Sequence, residues 1–381
     1  MAISILLSVP FEDPSTIFAM EPDGVAPVWG EYVHHEHLSR KNLLNSGLCL
    51  FALVPSYVAV GLIYSRCHVP EGAESYGTAS DAICSGSLQY PLALSNALFF
   101  LNVTLGFWLI GLAQRSFWLI DPYWTILPPL LAHLYQLHPR ADYNVARSVV
   151  SLVLIWAWAV RLTHSYFRRE DWKFGEREDW RYTKMAKENP RCWPILSFFA
   201  VGLAQQPMLI GITLPAYSIH FSTKPFDAID ALATAACIAG LCIAFVADNQ
   251  LRRFMLTNEQ LVAEGQPKVS LLETGLWRYS RHPNYFGEQL WWWSYALYAV
   301  NLGEWYMLAG TVFNSIILAT VTVMTEARML KGWTHERAEE YRRYQRVVSP
   351  CIPFFRLEWR AERAAPKGGV AAPFVTNSCS A

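Results

Sequence analysis

The chain has 381 residues, of which 53% are hydrophobic, 16% are charged and 14% are aromatic, and its formal net charge is zero. Because soluble globular domains carry about 25% charged residues, this composition disfavours a soluble enzyme and favours a membrane protein. The zero net charge gives no indication of a nucleic-acid partner. The eight cysteines show neither a C-x-x-C pair nor the spacing of a zinc site.

The two ends of the chain are predicted to lie outside the membrane domain, which we assign to residues 43–355. Residues 1–42 form an N-terminal cytosolic segment, and residues 356–381 are rich in Ala, Gly, Pro and Ser and are predicted to be a disordered tail. The N-terminal segment contains the run His34–His37, which has the composition of a metal cluster. Adjacent residues cannot all turn toward one ion, so no metal site is expected.

Between these ends lie apolar stretches that are predicted to be membrane helices. They cover residues 43–64, 92–113, 117–137, 145–163, 194–217, 228–247, 284–300 and 305–325. A helix needs about 20 apolar residues to cross the hydrocarbon core, so several of these stretches are short. The sequence therefore predicts an all-α, polytopic bundle of about eight transmembrane helices, with seven or nine as alternatives.

Basic residues give the orientation of this bundle. Lys and Arg concentrate in the loops at 113–117, 164–193 and 248–283 and in the tail after residue 325, whereas the opposite loops hold few of them. Positively charged loops remain in the cytosol. We therefore expect both termini to be cytosolic. Cys67 and Cys84 fall in one loop on the opposite side, where they are either paired or isolated thiols.

The stretch 276–293 concentrates charged and aromatic residues at the mouth of an apolar run. Arg278, Arg281 and His282 supply positive charge, and Pro283 suits the first turn of a helix. Free N–H groups at a helix N-terminus favour anions, and arginines beside them bind phosphate. This side of the stretch is a candidate phosphate site.

The following turns carry neutral and acidic groups. Asn284 and Glu288 are four residues apart and share a helix face with Tyr285 close by. Glu288 is predicted to accept hydrogen bonds from a ribose or an amide. The alternative is interfacial anchoring by Arg and Trp, and Trp291–Trp293 are read as packing residues.

Two further clusters lie on the same predicted face of the membrane. The first includes Asp248, Arg252 and Arg253, at the end of the sixth span. A basic stop-transfer flank explains the arginines but not Asp248.

The second cluster lies in the C-terminal tail and is read as an amphipathic helix. It contains Arg328 and Lys331, followed by Tyr341 and Tyr344, three residues apart on one face. Its composition favours a helix that lies on the membrane surface, with ligand binding as the alternative.

Asp121 is an acidic residue inside an apolar stretch, where carboxylates are costly and usually face a cavity or a partner. Arg161, in the fourth span, is a candidate partner. A structural Asp121–Arg161 bridge and a role in a substrate cavity both remain open. Glu178–Tyr182 add charge to the following loop.

Taken together, these residues resemble the DUF1295 membrane branch of the steroid 5α-reductase and sterol C14-reductase superfamily. The resemblance covers about residues 90–355 and rests on six short motifs in the same order. These are Ser116…Asp121-Pro-Tyr-Trp124, Trp158…Arg161-Leu162, Glu178–Tyr182, Asp248-x-Gln250…Phe254, Leu276–Glu288 and Glu326-x-Arg328…Tyr341…Tyr344.

The resemblance implies an endoplasmic-reticulum membrane reductase that uses NADPH, with its cofactor-binding part at 245–350. Asn284 and Glu288 match cofactor-holding residues, while Arg281, Tyr285 and the Lys331–Tyr344 region fall in binding segments. Leu251 and Met255 stand where sterol reductases carry Lys and Arg, so NADH remains a second candidate. The implied reaction is reduction of a conjugated C=C bond in a hydrophobic lipid, such as a steroid, sterol or polyprenoid.

The proton donor of such a reaction must be a Tyr or a carboxyl group with a raised pKa, and Tyr123 and Asp121 are the candidates. Isoprenylcysteine and phospholipid methyltransferases carry a similar Arg-His-Pro-x-Tyr-x-Gly element. An S-adenosylmethionine-dependent methyltransferase is therefore the main alternative function. A non-catalytic lipid-binding protein is a third. Neither the substrate nor the oligomeric state can be read from the sequence.

Overall fold

The computed structural model describes residues 39–67 and 79–354, so the His34–His37 run and the tail at 356–381 lie outside the described residues. The helices are α1 (Arg40–Phe51), α2 (Val54–Arg66), α3 (Ala79–Gln89), α4 (Pro91–Phe99), α5 (Trp108–Gln114), α6 (Ile120–Gln136), α7 (Val145–Arg169), α8 (Trp180–Glu188), α9 (Trp193–Ser197), α10 (Ala204–His220), α11 (Ala228–Ala263), α12 (Pro283–Asn301), α13 (Leu308–Gly332) and α14 (His335–Val347). Two π-helical segments, π1 (Phe100–Phe107) and π2 (Phe198–Leu203), and two short 3₁₀ turns, Gly275–Arg278 and Trp305–Met307, complete the described elements.

The all-helical membrane fold expected from the sequence is confirmed for this part of the chain. Each of the eight apolar stretches is helical, and six described helical units are long and apolar enough to cross a membrane. These units are Arg40–Arg66, Pro91–Gln114, Val145–Arg169, Trp193–His220, Ala228–Ala263 and Trp305–Gly332. The 17-residue α6 and the 19-residue α12 are not among them. The count of eight and the side of each terminus stay predictions.

Helix α11 is longer than the predicted span at 228–247. Its 36 residues begin at a capping box in which Asp227 accepts hydrogen bonds from the backbone N–H groups of Ile229 and Asp230. At 1.5 Å per residue the helix is about 54 Å long, well beyond a hydrocarbon core of about 30 Å. Its last turns therefore extend beyond the apolar part of the bundle.

The tightest helix pair, α11 and α12, is held together by small residues and aromatic rings. A Cβ on Gly240 would lie 2.8 Å from the carbonyl oxygen of Gly287, so only glycine allows this approach. Next to the glycines, Trp291 and Trp292 are almost fully buried and pack on Trp158 of α7. The packing role expected for Trp291 and Trp292 is thus confirmed, whereas Trp293 is 42% exposed.

The cysteines at positions 67 and 84 form a disulfide. It joins the end of α2 to α3, across the residues that the structure does not describe. Of the two alternatives for these thiols, the structure has the paired form.

One end of the bundle is fixed by a fully buried ion pair between Arg147 and Asp230. The guanidinium also donates to the carbonyls of Lys224 and Pro225, and Asn301 donates to the second oxygen of Asp230. Breaking one side of a buried pair costs about 3–5 kcal/mol because the remaining charge has no partner. This arrangement therefore ties α7 to the start of α11 and the end of α12.

We predict that Arg147→Met lowers the free energy of unfolding by about 3–5 kcal/mol, since Asp230 would remain buried without its cation. Thermal unfolding of the detergent-purified protein measures the effect. Arg140→Met is the matched control, because Arg140 is exposed in the neighbouring loop and its loss should leave the melting temperature unchanged. Equal melting temperatures for the two variants would contradict the assigned role of Arg147.

Candidate active site

At the opposite end of the bundle, Arg161 of α7 lies between two carboxylates from different helices. It donates to Asp248 of α11 at 3.0 Å and to Glu288 of α12. Trp158 donates to the other oxygen of Glu288 at 2.7 Å, and Asn284 donates to Asp248 at 3.2 Å. We call Trp158, Arg161, Asp248, Asn284 and Glu288 the acid–arginine network. It brings together three of the residues predicted to bind a cofactor.

The network also excludes the Asp121–Arg161 ion pair, which the sequence left open. Arg161 does not bridge to Asp121, because its guanidinium is taken up by Asp248 and Glu288. The arginine and Asp121 lie in neighbouring helices, but Asp121 faces a different set of charges. The role of Asp121 must therefore be sought elsewhere.

Two polar atoms of the network are buried without a hydrogen-bond partner in the part of the chain that the structure describes. They are Nε of Arg161 and Oδ1 of Asn284. Leaving a buried polar group unsatisfied costs about 1–3 kcal/mol, so such atoms require an explanation. One unpartnered donor and one unpartnered acceptor match, in kind, the groups of a carboxamide or of ribose hydroxyls in a nucleotide. The residues present therefore fit a nicotinamide dinucleotide.

A second set of charges surrounds Asp121 at the start of α6. Arg181 forms a hydrogen bond of 2.9 Å with Asp179, and Asp121 interacts electrostatically with both. Glu178 accepts a hydrogen bond from the backbone N–H of Phe117, and Tyr182 is 6% exposed. We call Asp121, Glu178, Asp179, Arg181 and Tyr182 the loop cluster. It places three carboxylates and one arginine around a buried tyrosine.

Burial changes the acidity of two groups in this cluster that lie outside the candidate membrane spans. It raises the pKa of Glu178 to about 7, because desolvation outweighs the hydrogen bonds from Phe117 and Thr183. Burial and the nearby Asp121 raise the pKa of Tyr182 as well. Glu178 is therefore an acid poised near neutral pH, which suits proton donation.

Tyr123, the other proposed proton donor, faces a different part of the molecule from Asp121. Its hydroxyl donates to the carbonyl of Cys49, and its ring packs against Phe107. Tyr182 occupies the position beside Asp121 instead, and its hydroxyl accepts a hydrogen bond from Gln205 at 3.2 Å. The structure thus brings Asp121 together with Tyr182 rather than with Tyr123.

Arg281 and His282 are bound by the chain itself. Arg281 donates to both oxygens of Glu326 and to the carbonyls of Gln345 and Val348, which uses four of the five donors of a guanidinium. His282 contacts Glu326 at 2.9 Å, and Gln345 donates to the same carboxylate. We call Arg281, His282, Glu326 and Gln345 the tail clamp. A phosphate at Arg281 would find one free donor.

The tail clamp changes the interpretation of the C-terminal helix. Tyr341 and Tyr344 of α14 are each 3% exposed, because they pack on Leu271, Met329 and Trp333. The hydroxyl of Tyr344 donates to the carbonyl of Trp277. The expectation of a helix lying on the membrane through this face is therefore wrong. The apolar face of α14 is covered by protein.

Tyr285 connects the acid–arginine network, the loop cluster and the tail clamp. Its ring stacks on His282 with centroids 5.1 Å apart, and its side chain bonds to Thr325. The same side chain interacts electrostatically with Arg181 of the loop cluster and Asp248 of the acid–arginine network. Residues distant in sequence thus converge on the first turns of α12.

The remaining predicted cofactor residues lie around this centre. Arg328 stacks on Trp180 at 4.4 Å, which joins α13 to the loop cluster. Arg253, Arg278 and Lys331 are exposed, and Arg252 lies one helical turn beyond Asp248 on α11. These cations are exposed or partly exposed, whereas the charged side chains of the network and the clamp are largely buried.

The local sequence does not mark four residues of the site: Trp158, Glu178, Arg181 and Gln205. An arginine inside a membrane span, such as Arg161, requires a carboxylate partner. Several carboxylates were available, and only their positions in space select Asp248 and Glu288. Glu178 gave no local signal, because its acidity arises from burial.

We predict that stability falls as the pH rises from about 4.5 to about 7, in part because of Glu178. The pKa of the folded state is higher than that of the unfolded state, so in this window the folded protein binds more protons and is favoured at the lower pH. Glu178→Gln should flatten the decrease in melting temperature between these pH values, while Glu259→Gln, at an exposed position, should not. Parallel pH profiles for the wild type and Glu178→Gln would disprove the assignment.

We also predict that Arg281→Met releases α14. Trypsin cleavage at the exposed residues Arg342, Arg343 and Arg346 should accelerate at least about tenfold, which corresponds to about 1.4 kcal/mol of docking free energy. Arg278→Met is the control, because Arg278 is exposed on the adjacent 3₁₀ turn. Unchanged cleavage in Arg281→Met would show that the tail docks without the clamp.

Comparison with known proteins gives this geometry a family context. An uncharacterised protein of Schizosaccharomyces pombe is 28% identical over 262 residues, which is 65% of this chain and 75% of that protein. The 3-oxo-5-alpha-steroid 4-dehydrogenase 1 of Bos taurus is 28% identical over 115 residues, which is 30% of this chain and 39% of the relative. The Rattus norvegicus enzyme of the same name is 29% identical over a match of the same extent. No solved structure matches the chain significantly.

The match to the steroid dehydrogenases thus spans less than half of their length. The family model described as a protein of unknown function, DUF1295, matches residues 107–348. This range is more than half of the chain and includes the acid–arginine network, the loop cluster and the tail clamp. The chain therefore belongs to the DUF1295 family, within the steroid 5α-reductase-like superfamily.

Proposed function

We propose that this protein is a membrane oxidoreductase that uses NADPH, or NADH, to reduce a conjugated C=C bond of a hydrophobic lipid. Distant similarity to steroid 4-dehydrogenases indicates a membrane reductase of this superfamily. The proposed use of NADPH or NADH rests on the acid–arginine network, in which one atom of Arg161 and one of Asn284 have no partner. Substrates of the steroid, sterol or polyprenoid type fit the apolar surroundings.

The residues that would hold the cofactor lie at the first turns of α12. Asn284 and Arg161 would bind the amide or ribose, because each has a buried polar atom without a partner. Glu288 would take part through its contact with Arg161. Arg252, Arg253 and Arg278 would bind phosphates, as arginines do in other proteins. Arg281 would act mainly by keeping the tail closed over these turns.

Once bound, the nicotinamide would supply a hydride. The chain would contribute orientation, water exclusion and a proton. The loop cluster lies on the Tyr285 side of the site, as the electrostatic interaction of Tyr285 with Arg181 indicates. Asp121 and Tyr182 would polarise the carbonyl conjugated to the double bond, and Glu178 would replace the proton that they give up. Addition of one hydride and one proton converts C=C to CH–CH and leaves the cofactor oxidised.

The disulfide also supports a cellular location. Disulfides persist where one face of the membrane meets an oxidising compartment. The Cys67–Cys84 bond therefore supports the proposal that these cysteines face an oxidising compartment, as they would in the endoplasmic reticulum, with membrane lipids around the bundle.

We expect NADPH or NADH to raise the melting temperature of the purified protein in detergent. A ligand at about 100 times its Kd stabilises the folded state by about 2.7 kcal/mol. Asn284→Ala and Glu288→Gln should weaken binding at least about tenfold, or about 1.4 kcal/mol. Glu259→Gln, exposed on α11, should bind as the wild type does.

The same panel includes S-adenosylmethionine. Stabilisation by that compound alone would replace the reductase with a methyltransferase, and stabilisation by none of the three would favour a non-catalytic lipid-binding protein. Cofactor binding that survives both substitutions would show that the pocket lies elsewhere. Oxidation of NADPH in the presence of progesterone, a 3-oxo-Δ4 steroid, tests the steroid substrate class.

A further inference from the structure

The first 38 residues of the chain carry charge of one sign. They contain neither Lys nor Arg, and their six acidic residues are Glu12, Asp13, Glu21, Asp23, Glu31 and Glu36. Because the formal net charge of the whole chain is zero, the rest of the chain carries an equal excess of positive charge. A segment with one sign of charge often binds a surface of the opposite sign.

This segment precedes α1, whose start lies close to the C-terminal part of α11. Asn42, in the first turn of α1, accepts a hydrogen bond from the backbone N–H of Phe174 at 2.7 Å. Phe174 packs against Phe167 of α7, with 4.8 Å between the ring centroids. The neighbouring Arg168 donates to Asn249 of α11 at 2.8 Å. The segment therefore joins the bundle at the same end as the acid–arginine network.

The C-terminal part of α11 and the loop after it form one surface at this end. The backbone N–H of Val269 donates to Asn258 at 2.8 Å, and that of Leu276 donates to Gln250 at 3.0 Å, so the loop returns along the helix. The return brings the end of the loop back to the helix turn that follows Asp248. We call three arginines of this surface the basic surface: Arg252, Arg253 and Arg278.

The arginines of the basic surface have no carboxylate partner within residues 39–67 and 79–354. They differ in this from Arg161 and Arg281, which are paired and largely buried. Glu259, the next acidic residue of α11 after Asp248, lies about two turns beyond these arginines on the helix. The basic surface is thus open to an anion from elsewhere.

The N-terminal segment matches this surface in reach and in chemistry. An extended chain of 38 residues spans at most about 130 Å, which exceeds the length of α11. A tethered segment acts at an effective concentration on the order of millimolar, so even a weak contact is occupied. Between Asp13 and Glu21 the segment also has Ile17 and Phe18. These apolar residues suit Met255, which is 45% exposed beside the basic surface.

We propose that the acidic N-terminal segment, residues 1–38, binds the basic surface of the same chain. Its carboxylates take the places at Arg252, Arg253 and Arg278 that the phosphates of the cofactor would occupy. The segment therefore competes with NADPH or NADH and weakens cofactor binding. This competition rests on the proposed function, whereas the contact between the segment and the basic surface does not.

Photocrosslinking tests the contact. The full chain carries Met255→p-benzoylphenylalanine in phosphatidylcholine nanodiscs that hold one copy each, and crosslinked peptides are identified by mass spectrometry. We expect crosslinks to residues 1–38. Raising the salt from about 0.1 M to 1 M shortens the Debye length from about 10 Å to 3 Å and should reduce their yield at least about threefold. Trp305→p-benzoylphenylalanine is the control, because Trp305 is 70% exposed beyond the other end of α12 and should give no such crosslinks.

Neutralising the segment tests the role of charge. The combined variant is Glu12→Gln, Asp13→Asn, Glu21→Gln, Asp23→Asn, Glu31→Gln and Glu36→Gln. It should reduce the crosslinks from position 255 at least about fivefold and lower the Kd for NADPH at least about threefold. Its melting temperature without NADPH should equal that of the wild type. Glu71→Gln combined with Glu74→Gln, between α2 and α3 in sequence, should change neither the crosslinks nor the Kd.

Three results would overturn the proposal. They are crosslinks from position 255 only to lipid or to a second copy, crosslinks to residues 1–38 that persist when the six carboxylates are neutralised, and a Kd for NADPH that stays unchanged when those crosslinks are lost. Failure of the wild type and of the neutralised variant to bind NADPH would instead refute the proposed cofactor. The crosslinks would still decide whether the segment binds the basic surface.

Discussion

The position of Arg161 between Asp248 and Glu288 is the constraint on which the rest of the site depends. A charge transferred from water into the apolar bundle is costly, and only close partners make it tolerable. The two carboxylates come from α11 and α12, and the arginine comes from α7. The need to neutralise one buried cation thus sets the mutual positions of three helices. It also explains why Asp248, Asn284 and Glu288 meet although 36 residues separate the first two.

This network is possible only because α11 and α12 lie unusually close. Gly240 and Gly287 bring the two backbones almost into contact, and Trp291 stacks with Trp158 and Tyr295 just beyond them. The small residues set the distance between the helices, and the rings fill the space on either side. Substituting either glycine would move Glu288 relative to Arg161. The packing of α11 against α12 therefore also sets the geometry of the polar site.

Tyr285 shows how the fold assembles a site from remote segments. The same side chain stacks on His282, bonds to Thr325 and faces the charges of Arg181 and Asp248. The tail contributes by returning to the start of α12, where Arg281 binds the carbonyls of Gln345 and Val348. The C-terminal segment is thus part of the site. This arrangement agrees with a family match that extends to residue 348.

The sequence by itself determined the membrane class, the eight helical stretches and the segment around Asn284 and Glu288. Hydrophobic runs and local motifs express these properties over short distances, so they can be read without a structure. Only the tertiary structure decided that Arg161 pairs with Asp248 and Glu288 rather than with Asp121. Local patterns also left open that Arg281 binds the tail, and that protein rather than membrane covers the apolar face of α14. Each of these outcomes depends on which distant groups meet in the folded chain. A buried cation in the sequence predicts that a carboxylate partner exists. The packing of the helices decides which carboxylate that partner is.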